Sequence, residues 1–218
     1  MQKVLADAGL THEFILDGNI DDLTDTVLET TFSGPMQRRR GSTSCAYKHL
    51  LACRRIVELK IPRALILEDD IIMLPAYRKT FSLCLEELHR RSLNNCIISL
   101  ENSGHVFIRR SERTPGTLLY KKNKGRCAGA YLIDLECAQS ILRYVEDHRV
   151  GEAIDWFHNR LFGENIIDCY WLEPPVFEQS SNNGRMASLL ELNKKHSFLK
   201  MLAHDIRCGA RRLVSHIR

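Results

Sequence analysis

Glu68, Asp69 and Asp70 follow directly on the apolar run Ala64-Leu65-Ile66-Leu67. Two ionised carboxylates ~4 Å apart repel by roughly 4 kcal/mol at the effective dielectric of a protein surface, so three in succession at a strand end call for a positive charge among them. Oxygen-only donors favour a hard ion such as Mg2+ or Mn2+, and ions of this kind commonly bridge protein carboxylates to substrate phosphates. Alternation along a strand places Glu68 and Asp70 on one face, with Asp69 on the other beside Leu65 and Leu67. In open α/β sheets ligands bind just beyond the carboxyl ends of the strands, where this triplet falls. The competing reading is a solvated acidic turn after a buried strand.

Other residue types could contribute chemistry. Lys121, Lys122, Lys124 and Arg126 form a basic run around Gly125, and Arg38-Arg39-Arg40 precede a helix. Either could receive phosphates, the second helped by the anion preference of a helix N-terminus, or either could be a solvated face.

These residues need elements to hold them. Residues 1–8 read as the end of a helix stopped by Gly9, with a strand at His12–Leu16 and a turn at Asp17-Gly18. An acidic loop leads to a helix over Ser44–Lys60, with Ser44 as its N-cap and Ala46, Leu50, Cys53 and Val57 at helical spacing. Pro62 ends it, Ala64–Glu68 forms the central strand, and an amphipathic helix follows over Pro75–Arg91 through Phe81, Leu85 and Leu88. Strands are expected at Cys96–Leu100, His105–Ile108 and Leu118–Tyr120, the last two joined by the turn former Pro115-Gly116 as an antiparallel excursion. Ala128–Ile133 is a further strand, Asp134 caps the helix after it, another helix covers Glu152–Phe162, and a last strand at Ile167–Leu172 ends before Pro174-Pro175. Strands alternating with helices around one hairpin give an α/β sandwich with a mixed, mainly parallel sheet.

Composition bounds the function. With 218 residues, 44% of them hydrophobic, the chain can build one sizeable core. No apolar run is long enough to span a membrane, and the N-terminal residues lack the apolar stretch of a signal peptide. Eight cysteines occur without a Cys-x-x-Cys or zinc-type Cys/His grouping, which suits reduced buried thiols in a cytoplasmic protein. Residues 194–218 hold seven bases against one acid, so the net charge of +4 becomes −2 for the remainder. That slightly acidic domain, without a basic aromatic-lined groove, argues against nucleic acid as a partner.

The order of motifs resembles glycosyltransferase family 25, the group containing bacterial lipooligosaccharide and collagen galactosyltransferases. The resemblance runs from about Ala6 to about Ser181. Ser44-Cys45-Ala46-Tyr47-Lys48-His49-Leu50 keeps the Cys, His and Leu of the family's Gly-Cys-x-x-Ser-His-Leu segment, without its Gly and Ser. Ala-Leu-Ile-Leu-Glu-Asp-Asp plus an aliphatic residue is reproduced in full at residues 64–71. Ala130-Tyr131-Leu132-Ile133, Asp155-Trp156 and the stretch Pro174-Pro175-Val176-Phe177-Glu178-Gln179 match later family segments in order.

The resemblance implies a GT-A-like nucleotide-sugar-binding fold and a metal-dependent inverting glycosyltransferase. The donor would be a nucleotide sugar, a UDP-sugar foremost, carrying galactose or another hexose; the acceptor would be lipopolysaccharide, lipooligosaccharide or another surface glycan. Glu68 and Asp70 are its candidates for a Mn2+ or Mg2+ ion and Asp69 for the ribose, with His49, Gln179 and Ser180 as further donor contacts. Asp155 is the candidate base and Trp156 a flat face for the acceptor sugar. Structural alternatives stand beside these: a satisfied core histidine, a polar loop, a helix cap and a packed tryptophan.

The family's opening strand is not found before the first helix of this sequence, so the first strand is expected to be missing. The domain is taken as residues 1–190. Residues 191–218 form a basic helix with Leu199, Leu202, Ile206, Leu213 and Ile217 at helical spacing, which either lies peripherally on the inner face of an anionic plasma membrane or packs on the domain. Two other functions fit less of the pattern: a degenerate family member that binds glycan or a partner without catalysis, and an unrelated Mg2+-dependent phosphotransfer enzyme.

Overall fold

Every residue of Ala130–Asp134 is buried, because this run becomes an interior strand of the main sheet. The computed structural model describes residues 5, 9–102 and 106–179. Ser180 and the basic segment 191–218 lie outside the described residues. The strands are β1 (Arg63–Leu67), β2 (Ile71–Met73), β3 (Cys96–Ser99), β4 (Leu119–Lys122), β5 (Ala130–Asp134), β6 (Asp168–Leu172) and β7 (Phe177–Gln179). The helices are α1 (Asp25–Thr31), α2 (Gly41–Glu58), α3 (Tyr77–Arg90), α4 (Leu135–His148) and α5 (Ile154–Gly163).

Five strands form one sheet in the order β1-β5-β3-β6-β4, and β2 pairs with β7 in a separate antiparallel ribbon. The α/β class and the mixed sheet agree with a GT-A-like fold. The expected mainly parallel pairing needs correction: β1–β5, β5–β3 and β6–β4 are antiparallel, and β3–β6 is parallel. Asp134 supplies a physical reason. Its carboxylate caps α4 through the Cys137 N–H at 2.9 Å and also accepts from the N–H groups of Asn95 and Cys96 at 3.2 and 3.0 Å. That ties the end of β5 to the beginning of β3, a junction that only oppositely directed neighbours can make.

The sheet separates two apolar layers. On one face α1, α2, α4 and α5 pack over Ile97, Tyr131, Ile133, Cys169 and Trp171. On the other, α3 and the β2–β7 ribbon cover Ile98, Ala130, Leu132, Tyr170 and Leu172. Alternation along each strand feeds both layers, so β3 sends Ile97 and Ser99 to one side and Cys96 and Ile98 to the other.

Several expected local features differ. Residues 12–16 form no strand, and with Leu16 71% exposed no apolar face holds them to the sheet. Residues 106–108 form none either: the Ile108 N–H bonds to Glu173 at 3.4 Å, and β4 pairs with β6 instead. Ser44 does not cap α2, which begins three residues earlier after Arg40; its hydroxyl donates to the Gly18 carbonyl at 2.7 Å. Leu85 is 37% exposed, and the buried stripe of α3 runs through Tyr77, Thr80, Cys84, Glu87 and Leu88. The stretch read as an acidic loop contains α1, capped by Thr24 through the Val27 N–H.

Candidate active site

The end of β1 is held by a backbone bond from the Glu68 N–H to the Gly129 carbonyl, at 2.8 Å. Glu101, fully buried, accepts in turn from the N–H groups of Gly129 and Ala130, fixing the start of β5 opposite. The strand stops at Leu67, so alternation does not extend through the triplet. Asp69 and Asp70 sit in a turn between β1 and β2, the first exposed and the second half-buried.

Glu68 points back into the molecule. Its Oε1 lies 3.3 Å from His49 Nε2 and accepts from Cys45 Sγ at 3.5 Å, while Oε2 accepts from Gln179 Nε2 at 2.6 Å. Cys45 and His49 stand one turn apart on α2 and therefore share a face. Behind His49, Nδ1 meets the Tyr131 hydroxyl at 2.8 Å. The structure thus brings together Glu68, assigned from sequence to the metal ion, and His49 and Gln179, assigned to the donor. Burial works to raise the Glu68 pKa, but the His49 bond and charge, with the Cys45 and Gln179 bonds, outweigh it and hold the carboxyl below its ordinary range. Cys45 shifts the other way: burial first, then the Glu68 charge, keeps its thiol protonated.

Asp155 lies in the first turn of α5, where free N–H groups and the helix dipole suit an anion. It lines a small cleft, with room for about one water molecule, together with Ser99, Gly125, Arg126, Cys127 and His158. Ser99 is 1% exposed, and its hydroxyl finds no hydrogen-bond partner among the described residues. A buried hydroxyl in that condition costs free energy unless a ligand or water meets it. The cleft and the Glu68 cluster are electrostatically joined: burial, then the charges of Glu101, Asp155 and Glu68, push the Cys127 thiol up to about 12. His158, buried and edge-on to Tyr131, is pushed down to about 3 by burial and by His49, so it is a neutral imidazole at physiological pH.

Trp156 faces outward and is 60% exposed, with the Lys124 ammonium 5.3 Å from its ring centre. The rest of the basic run is engaged within the protein. Lys121 pairs with Asp168 at 2.8 Å and Lys122 with Glu112 at 2.6 Å. Arg126 is an internal strut: its side chain is 0% exposed, pairs with Glu173 at 2.7 Å, and donates to the carbonyls of Leu172 and Val106 at 2.8 and 3.0 Å. Before α2, Arg39 binds Asp25 and the Leu23 carbonyl, and Arg40 reaches Met36.

The donor chemistry tests the expected ion. Both Glu68 oxygens already have partners, one of them shared with a thiol and an imidazole, a mixed set that does not fit Mg2+ or Mn2+. Asp69 and Asp70 offer oxygen alone and fit a hard ion by ligand type. Ser99, Glu101, Tyr131 and His158 were not singled out from sequence. His158 carried a usable signal, since helical spacing places it on the same face as Asp155; Ser99 did not, because its place opposite Tyr131 depends on the pairing of β3 with β5.

A family model described as glycosyltransferase family 25 (LPS biosynthesis protein) matches residues 29–158. It runs from the end of α1 to the middle of α5 and includes Glu68, Asp69, Asp70, Asp155 and Trp156. No curated protein matches the chain.

Proposed function

Because the chain belongs to glycosyltransferase family 25, a family of LPS biosynthesis, we propose that it transfers a hexose with inversion from a nucleotide donor, a UDP-sugar, to a lipopolysaccharide, lipooligosaccharide or other surface-glycan acceptor. The observation that supports this reading is Asp155, in the first turn of α5 beside a small cavity with room for about one water molecule, and followed by the outward Trp156. In the reaction Asp155 accepts the proton of the acceptor hydroxyl as that oxygen bonds to the anomeric carbon. The carbon–oxygen bond to the nucleoside diphosphate breaks on the opposite side, the electron pair leaving with the phosphate oxygen, and the configuration inverts.

Trp156 offers the acceptor sugar an apolar face beside that base. A Mg2+ or Mn2+ ion at Asp69 and Asp70 would neutralise charge on the departing diphosphate. His49 and Gln179 act through Glu68, whose carboxylate they orient at the end of β1. Among the described residues no helix is long and apolar enough to cross a membrane.

The test is Asp155→Asn in the full chain, assayed for hexose transfer from UDP-hexoses to a purified glycolipid acceptor. Loss of a general base predicts a fall on the order of 10²–10⁴-fold in turnover, with donor affinity by calorimetry retained. Turnover at the wild-type rate would remove Asp155 from the reaction.

A further inference from the structure

Cys45, His49 and Glu68 are the group among the described residues whose ligand atoms all lie within 4.8 Å of one another. With Zn–S about 2.3 Å and Zn–N and Zn–O about 2.0 Å, tetrahedral angles set the S···O edge near about 3.5 Å and the N···O edge near about 3.3 Å. Cys45 Sγ and His49 Nε2 stand 3.5 and 3.3 Å from Glu68 Oε1. We propose that these three side chains form a binding site for Zn2+ or a similarly soft divalent ion, separate from the oxygen-only carboxylates of Asp69 and Asp70.

The surroundings are those of a built site. A metal-bound imidazole is normally oriented through its second nitrogen, and His49 Nδ1 meets the Tyr131 hydroxyl at 2.8 Å. A ligating carboxylate is normally steadied through its second oxygen, and Gln179 donates to Glu68 Oε2 at 2.6 Å. Cys45 and His49 come from successive turns of one helix, and Glu68 is fixed at the strand end by its bond to Gly129. The cluster is therefore ordered before an ion arrives. Binding displaces both the Cys45 thiol proton and the proton that His49 Nε2 shares with Glu68, and leaves the remaining imidazole proton on Nδ1 toward Tyr131. Three protein ligands leave the fourth tetrahedral position to water or to an oxygen of a bound molecule, and Glu68 retains 27% side-chain exposure to admit one. This assignment does not depend on sugar transfer.

Co2+ reports the site directly, because a cobalt–thiolate bond gives a near-ultraviolet charge-transfer band that oxygen and nitrogen ligands do not. The full chain, freed of metal by chelation and kept reduced with a non-thiol reagent, is titrated with Co2+. One equivalent should develop the band, Zn2+ should abolish it stoichiometrically, and millimolar Mg2+ should not. Cys45→Ser should remove the band and Cys127→Ser should keep it. Tyr131→Phe should weaken Co2+ binding by roughly 10–100-fold. Zn2+ at a hundredfold excess over its Kd should raise the wild-type Tm by roughly 5–11 °C. A wild-type chain that develops no band, or a band that survives in Cys45→Ser, would overturn the proposal.

Discussion

Replacing Arg126 by Met separates a structural role for the basic run from a phosphate-binding one. The guanidinium is fully enclosed and stacks on Trp171 with its carbon 4.7 Å from the ring centre. Burial works to lower its pKa, and the Glu173 charge opposes this; an arginine nevertheless stays protonated in proteins. Met fills much of the same volume but leaves Glu173, 7% exposed, with Arg113 at 3.2 Å and the Ile108 N–H at 3.4 Å as its remaining donors. Breaking a buried pair on one side costs about 3–5 kcal/mol, and the surviving Arg113 places this case near about 3 kcal/mol. For a chain of this size that lowers Tm by roughly 6–12 °C. The double variant Arg126→Met/Glu173→Gln removes the stranded charge and should recover part of the loss, with a coupling of about 1–3 kcal/mol. Thermal unfolding followed by circular dichroism gives the stabilities, and calorimetry with UDP gives the nucleotide affinity. An Arg126→Met protein with wild-type Tm and much weaker UDP binding would show that the side chain serves phosphate and would refute the strut.

Trp156→Ala should raise the acceptor KM by roughly 5–30-fold, the equivalent of about 1–2 kcal/mol of lost ring contact, and leave Tm unchanged because the ring is 60% exposed; an unaltered KM would remove Trp156 from the acceptor site. Because the Glu68 carboxyl is held below its ordinary range, its contribution to stability is complete above the unfolded value and disappears as pH falls through the folded one. The urea midpoint of Glu68→Gln should accordingly fall less than that of the wild type between about pH 5 and pH 3, and parallel profiles would contradict the bonded state of Glu68. At Gly129 a Cβ would come within 2.5–2.8 Å of the Gln179 side chain, which is bonded to Glu68. Gly129→Ala should therefore displace Gln179, losing about 1.5–3 kcal/mol and lowering Tm by roughly 3–12 °C, and adding Gln179→Ala should cost little more; fully additive losses would show that the clash lies elsewhere.

The helices over 44–60, 75–91 and 152–162 were legible because each has a burial period that the sequence displays, and the strand before the acidic triplet because it is a short apolar run bounded by Pro62 and the acids, although its residues are all half-buried. Strand direction was not, since a run such as Ala130–Ile133 reads the same whichever way its neighbours point; the direction is registered in Asp134, which binds N–H groups about forty positions earlier. The three-residue strands β2 and β7 are too short for a period to show, yet they bring Gln179 to Glu68. Nor does composition distinguish Arg126 from Lys124 two residues away, one enclosed against Glu173 and the other lying over Trp156.

The carboxylate triplet itself shows where local reasoning gives way. Treated as a unit, Glu68, Asp69 and Asp70 demand one cation, because three adjacent charges repel. The chain relieves that repulsion by ending β1 at Leu67, so that the three residues part company: Glu68 turns inward to an imidazole, a thiol and an amide, Asp69 faces solvent, and Asp70 stays half-buried in the turn. The partners that decide this come from residues 45, 49 and 179, so no window of sequence around the triplet contains them. What the strand end can bind follows from those partners rather than from the acidic run, which is why its two carboxylate environments suit ions of different hardness.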